Sequence, residues 1–171
     1  MAQRLLRVTT EYVSAEDRVR LSGELEGDAP LVLWLTLRLL QRLVPALLRW
    51  LEQQQGGAGL PREVVQGFAQ QAAKAALEPQ APVRAVSGSR ERRVLSVDVG
   101  GSGRGIVLRF RADEAAADAD DGVLLYLEAK PLRQWLGILY EAYVKAGWPL
   151  DLWPMWLREG AEPARAPLVL H

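Results

Sequence analysis

Between Leu31 and Leu51 the chain reads LVLWLTLRLLQRLVPALLRWL, and the spacing of its apolar residues changes midway. Leu31 to Leu35 is apolar at every position, the pattern of a strand covered on both faces. From Thr36 the period becomes helical. At about 100° per residue, Leu39, Leu40, Leu43, Val44, Leu47, Leu48, Trp50 and Leu51 share one broad face, opposite Arg38, Gln41, Arg42, Arg49 and Glu52. Pro45 removes the bond to the Gln41 carbonyl and predicts a kink around the core. This is also the one stretch long enough to raise a membrane reading. Its three arginines, at about 2.5 kcal/mol or more each in a bilayer centre, argue against spanning.

Upstream, Leu6, Val8, Thr10 and Tyr12 alternate with polar residues, and so do Val19, Leu21, Gly23 and Leu25. With a turn over Ser14 to Asp17, they predict an antiparallel hairpin. Downstream, Pro61 opens a second helix with Val64, Val65, Phe68, Ala72 and Ala76 on its apolar side. Pro79 to Ser89 then reads as a linker. A second hairpin follows: Leu95, Val97 and Val99, the GGSGRG turn of Gly100 to Gly105, then Ile106, Leu108 and Phe110. Val123 to Leu127 is another apolar strand. Pro131 begins a third helix with Leu132, Trp135, Leu136, Leu139, Ala142 and Tyr143 facing inward.

Hairpin, buried strand and helix thus occur twice, and the two strand-helix stretches align without gaps at an offset of 92 residues. Two explanations fit, a tandem βββα repeat or a chance match of two leucine-rich junctions. Either way the expected class is α+β, with about six antiparallel strands and three helices. It forms one domain over 1–157, with halves 1–55 and 83–147 joined by a helical linker 56–82. Residues 158–171 read as a tail, anchored only where Leu168 to Leu170 touch something.

The chemistry is narrow. Cysteine is absent, and the single histidine is His171. Within this chain that removes a thiolate nucleophile, a Ser-His-Asp triad and a histidine metal cage. The carboxylates show no spacing that separates an acid from a base, so an enzyme is the weaker expectation, and no pattern points to a cofactor or metal. Asp113, Glu114, Asp118, Asp120 and Asp121 form an acidic loop. It departs from an EF-hand because Gly122 and Ala129 stand where ligands belong, so it reads as solvated.

Arg84 to Arg111 holds seven arginines, of which Arg104, Arg109 and Arg111 are the candidates to bind an anion. Zero formal net charge and the lack of outward aromatics between them disfavour nucleic acid. Trp148, Trp153 and Trp156 crowd into WPLDLWPMWL, whose prolines predict an extended, turn-rich segment. Three exposed tryptophans would mark a partner or self-association surface; otherwise they pack within the chain. The leading expectation is a cytoplasmic, non-catalytic interaction or scaffold protein that self-associates as a dimer. The alternatives are a binding module for small anionic ligands or nucleic acid, and a carboxylate-dependent enzyme. The cytoplasmic expectation rests on the missing cysteines and on an amino-terminal stretch unlike a signal peptide.

Overall fold

In a computed structural model, which describes residues 2–54, 59–112 and 122–161, both expected hairpins are present. The acidic residues Asp113 to Asp121 and the segment from Glu162 to His171, with Leu168 to Leu170, lie outside the described residues. Strands β1 (Gln3–Val13) and β2 (Arg18–Leu25) pair antiparallel around Ser14 to Asp17. β2 pairs antiparallel with β3 (Leu31–Leu35), which runs into helix α1 (Leu37–Gln54). The Thr36 hydroxyl accepts the Leu39 N–H at 3.2 Å and caps that helix. Helix α2 (Arg62–Ala75) follows. Then come β4 (Glu91–Ser102), β5 (Gly105–Ala112), β6 (Val123–Glu128) and helix α3 (Ala129–Ala146). GGSGRG is a hairpin turn, tighter than its sequence suggests: Ser102 pairs with Gly105, and Gly103 takes a φ of 58°.

The class is α+β, and the pairing is mixed rather than wholly antiparallel. The six strands close into a barrel in sequence order, through parallel seams between β3 and β4 and between β6 and β1. Both seams are short: Glu91 to Arg93 pair with β3, and only Gln3 and Arg4 pair with β6. Beyond the seams, among the described residues, β1 and β4 pair only with their hairpin mates, and a helix lies alongside each, α3 beside β1 and α1 beside β4.

One continuous core results. Leu21 faces Leu33 across β2 and β3, Leu108 faces Leu125 across β5 and β6, and these strand leucines pack under Leu40, Leu47, Leu136 and Leu139. Leu37 and Ala129 open helices of equal length, and Leu31 and Val123 open the preceding strands, each pair 92 residues apart. Gln3 and Glu91 stand 88 apart, however, and Arg18 and Gly105 stand 87 apart, so no single offset relates the halves and a tandem repeat is not established. No described helix is long and apolar enough to cross a membrane.

Three sequence expectations need correction. A fourth helix, α4 (Met155–Ala161), replaces the expected extended segment and carries regular structure past residue 157. Pro154 starts this helix instead of breaking it, its carbonyl accepting the N–H groups of Leu157 and Arg158 at 3.1 Å, as proline does at a first turn. Pro79 to Ser89 is attached along part of its length: the Val83 N–H donates to the Thr9 hydroxyl at 2.8 Å, and the Arg7 guanidinium donates to the Ala81 carbonyl.

The largest correction concerns α2. Its buried residues are Gln66, Gln70 and Ala73, whereas Val64 and Phe68 are exposed. The cause is Arg133 of α3, only 2% exposed and, among the described residues, without a carboxylate partner. Its Nη2 donates to Gln66 Oε1 at 2.5 Å, Gln70 Nε2 donates to the Arg133 carbonyl at 2.9 Å, and the guanidinium stacks 5.6 Å over the Trp156 ring. Burial pulls the guanidinium pKa down to about 10, so at neutral pH it stays charged and holds the glutamine face of α2 inward.

Removing one partner of a buried charge is expected to cost more than removing both. Gln66→Leu should therefore destabilise the fold by about 3 kcal/mol in urea unfolding, while Gln66→Leu with Arg133→Met should return to within about 1 kcal/mol of the parent. Additive losses would show that the guanidinium does not hold α2.

Candidate functional site

The tryptophans singled out by sequence lie inside the chain's own core, with Trp148, Trp153 and Trp156 at 8%, 2% and 6% exposure. The Trp148 indole N–H donates to Asp17 Oδ1 at 3.1 Å, on the same carboxylate oxygen that accepts the Tyr12 hydroxyl at 2.7 Å. That bond raises the Tyr12 pKa. Tyr143 meets Trp148 and Trp153 edge to face at 5.1 and 5.2 Å, and Tyr12 meets Trp148 at 5.4 Å. Burial also raises the Tyr143 pKa. Two turns earlier on α3, the Trp135 N–H donates to the Thr10 hydroxyl of β1 at 2.9 Å. Aromatic side chains thus fill the cleft between α3 and β1, and the three tryptophans lend no exposed surface.

The three candidate arginines do not converge. Arg104 is exposed at the hairpin turn, whereas Arg109 and Arg111 lie five and seven residues along, roughly 16 Å and more at strand rise. Arg111 is held by Asp98 at 2.7 Å, and the half-buried Arg109 lies against Gly122. The acidic residues of the 113–121 stretch lie outside the described residues. Among the described residues no three metal-binding side chains come together.

Another set of arginines does converge. Between α1 and the free edge of β4 runs a groove of about 570 Å³. Leu39, Leu43 and Ala46 line it from the helix, and Val94, Val97 and Val99 from the strand. Arg38 and Arg42, one turn apart on α1, stand on one side; Arg93 stands on the other, placed there by its pairing with Trp34 across the seam. Among the described residues no acidic side chain lines the groove, and the only other polar side chains lining it are Thr36 and Ser96. No described residue forms an ion pair with any of these three arginines. A hollow of about 390 Å³ at the start of α4 differs, because Glu52 and Glu63 accompany Arg62 there.

The groove exists because the two clefts are filled differently. Leu43 and Trp135 stand at the same position of their helices, seventh in α1 and seventh in α3. Trp135 reaches across to β1, whereas a leucine leaves room between α1 and β4. From sequence, Arg38 and Arg42 lie on the polar face of their helix and Arg93 belongs with the hairpin arginines; neither local pattern says that they meet.

Leu43→Trp is expected to fill the groove as Trp135 fills its counterpart. The melting temperature should hold or rise by a few degrees, and the volume beside Val97 should fall to a fraction of its value in a crystal structure. A loss of more than about 2 kcal/mol would mean that the space is needed for packing. Comparison of the sequence with protein-family models, with curated proteins and with solved structures finds no match, so the groove's own chemistry carries the functional reading.

Proposed function

We propose that this protein binds amphipathic organic anions, with an aliphatic chain along Leu39, Leu43 and Val97 and a carboxylate-like head between Arg38, Arg42 and Arg93. The observation that carries this reading is the apolar groove rimmed by three arginines with no acid among its lining residues. Its size falls in the range of small-molecule sites. The energetics divide the work. Each methylene taken out of water contributes about 0.8 kcal/mol, and each exposed arginine-carboxylate pair about 1 kcal/mol at most. The chain therefore supplies most of the affinity, and the arginines choose the headgroup and orient it. This moves the anion-binding expectation from the 104–111 hairpin to the α1–β4 groove.

Isothermal titration with decanoate, decanol and acetate tests the reading. Decanoate should bind best, decanol about five- to thirtyfold more weakly, and acetate not measurably. Arg38→Ala with Arg42→Ala should erase the preference for decanoate over decanol while leaving decanol affinity within about twofold. Equal binding of decanoate and decanol by the parent protein, or no binding of either, would contradict the assignment.

A further inference from the structure

Strand β4 leaves the barrel with one flank unpaired. It joins β3 through Glu91 to Arg93, and directly after that seam Leu95 is an extra residue against β5, a bulge of the kind that bends a strand. From Val94 to Gly101, among the described residues, the backbone of β4 pairs with β5 alone. The N–H and C=O groups of the other flank open into the groove, where Leu39, Leu43 and Ala46 of α1 offer them no hydrogen bond. Helix and strand run out from the seam side by side. At one end Trp34, just before Thr36, pairs with Arg93; at the other, Trp50 Nε1 lies 3.6 Å from the point a Cβ on Gly101 would occupy. Thr36 to Trp50 is about 21 Å of helix, and Val94 to Gly101 about 23 Å of strand. Arg38 and Arg93 stand at the seam end, and Arg42 one turn further along, so the positive charge belongs to the seam half of the groove.

We propose that the ligand of this groove is the carboxyl-terminal end of a polypeptide, added to β4 as an antiparallel strand with its terminal carboxylate at Arg38, Arg42 and Arg93. The inference rests on the anion-binding reading above and narrows it to one class of amphipathic anion. The open flank selects a peptide, because it needs N–H and C=O partners at strand spacing. Hydrocarbon laid along it would shut the strand's amides from water and give nothing in exchange. Charge sets the direction: a carboxylate at the seam end makes the peptide run toward the seam, opposite to β4. Length sets the extent: Val94 to Val99 spans about 17 Å, room for about five extended residues, whose alternate side chains fall on the apolar lining around Leu43 and Val97. The β4 strand of a second copy fits less well. Paired antiparallel over the same span, it would bring Gly100 and Gly101 to the three arginines, and no acid.

Calorimetric titration of the full chain with the peptide acetyl-Thr-Val-Thr-Val-Leu tests this, in four forms: free acid, carboxamide, and two acids N-methylated at one or the other alternate set of residues. The changes lie in the ligand, so folding of the protein is not at stake. The acid should bind with a dissociation constant in the micromolar range and the carboxamide about five- to thirtyfold more weakly. A strand shows its neighbour only every second amide, so one N-methylated form should lose about tenfold or more while the other stays within about threefold. In amide hydrogen exchange, the acid should slow alternate residues between Val94 and Gly101, and decanoate should not. Equal binding of acid and carboxamide, equal behaviour of the two N-methylated forms, or unchanged exchange along β4 would overturn the proposal. Protection of β4 that grows with protein concentration in the absence of peptide would overturn it in favour of a second copy. Binding of decanoate without the peptide would overturn this inference and leave the anion-binding reading standing; binding of neither would overturn both.

Discussion

The shortness of the two parallel seams governs this structure. A closed sheet leaves no free edge, yet β1 and β4 pair with their parallel neighbours over only two and three residues before diverging. Past that point each long hairpin has one strand with an uncovered flank, and a helix must supply what a strand does not. The strand-helix junctions at Thr36 and Glu128 deliver α1 and α3 to those flanks. The leucines of α1 belong to the same core cluster as the barrel strands, α3 and the tryptophan segment.

The same plan produces a filled cleft and an open one. Beside β1, Trp135, Tyr143 and Trp148 pack edge to face or hydrogen-bond to the strand, and aromatic pairs of this kind add about 0.5 to 1.5 kcal/mol each beyond their buried area. Beside β4, α1 offers Leu39 and Leu43, and the difference in side-chain volume appears as the groove.

Where local pattern decides structure, the sequence was a sound guide. The leucine period of α1 matches its buried residues from Leu39 to Leu51, apart from the half-buried Trp50, and all six inward positions expected of α3 are buried. Reading failed where a distant partner decides. Val64 and Phe68 give α2 an apolar face, but Arg133, sixty-seven residues after Gln66, reverses it by taking the Gln66 amide oxygen as its acceptor. Pro154 looks like a breaker until its position at a helix start is known. Arg93 seems to belong with Arg104, Arg109 and Arg111, yet its pairing with Trp34 carries it to Arg38 and Arg42. No residue near Arg93 in sequence encodes that register.

The central claim is that the cleft beside β4 takes an amphipathic anion while the matching cleft beside β1 is closed. Amide chemical-shift mapping of the isotope-labelled protein during a decanoate titration addresses both halves at once. Shifts confined to Thr36 through Ala46 and Arg93 through Val99, with β1 and the 129–146 helix silent, are the predicted result. Shifts centred on Thr10 and Trp135, or spread evenly over the molecule, would contradict it.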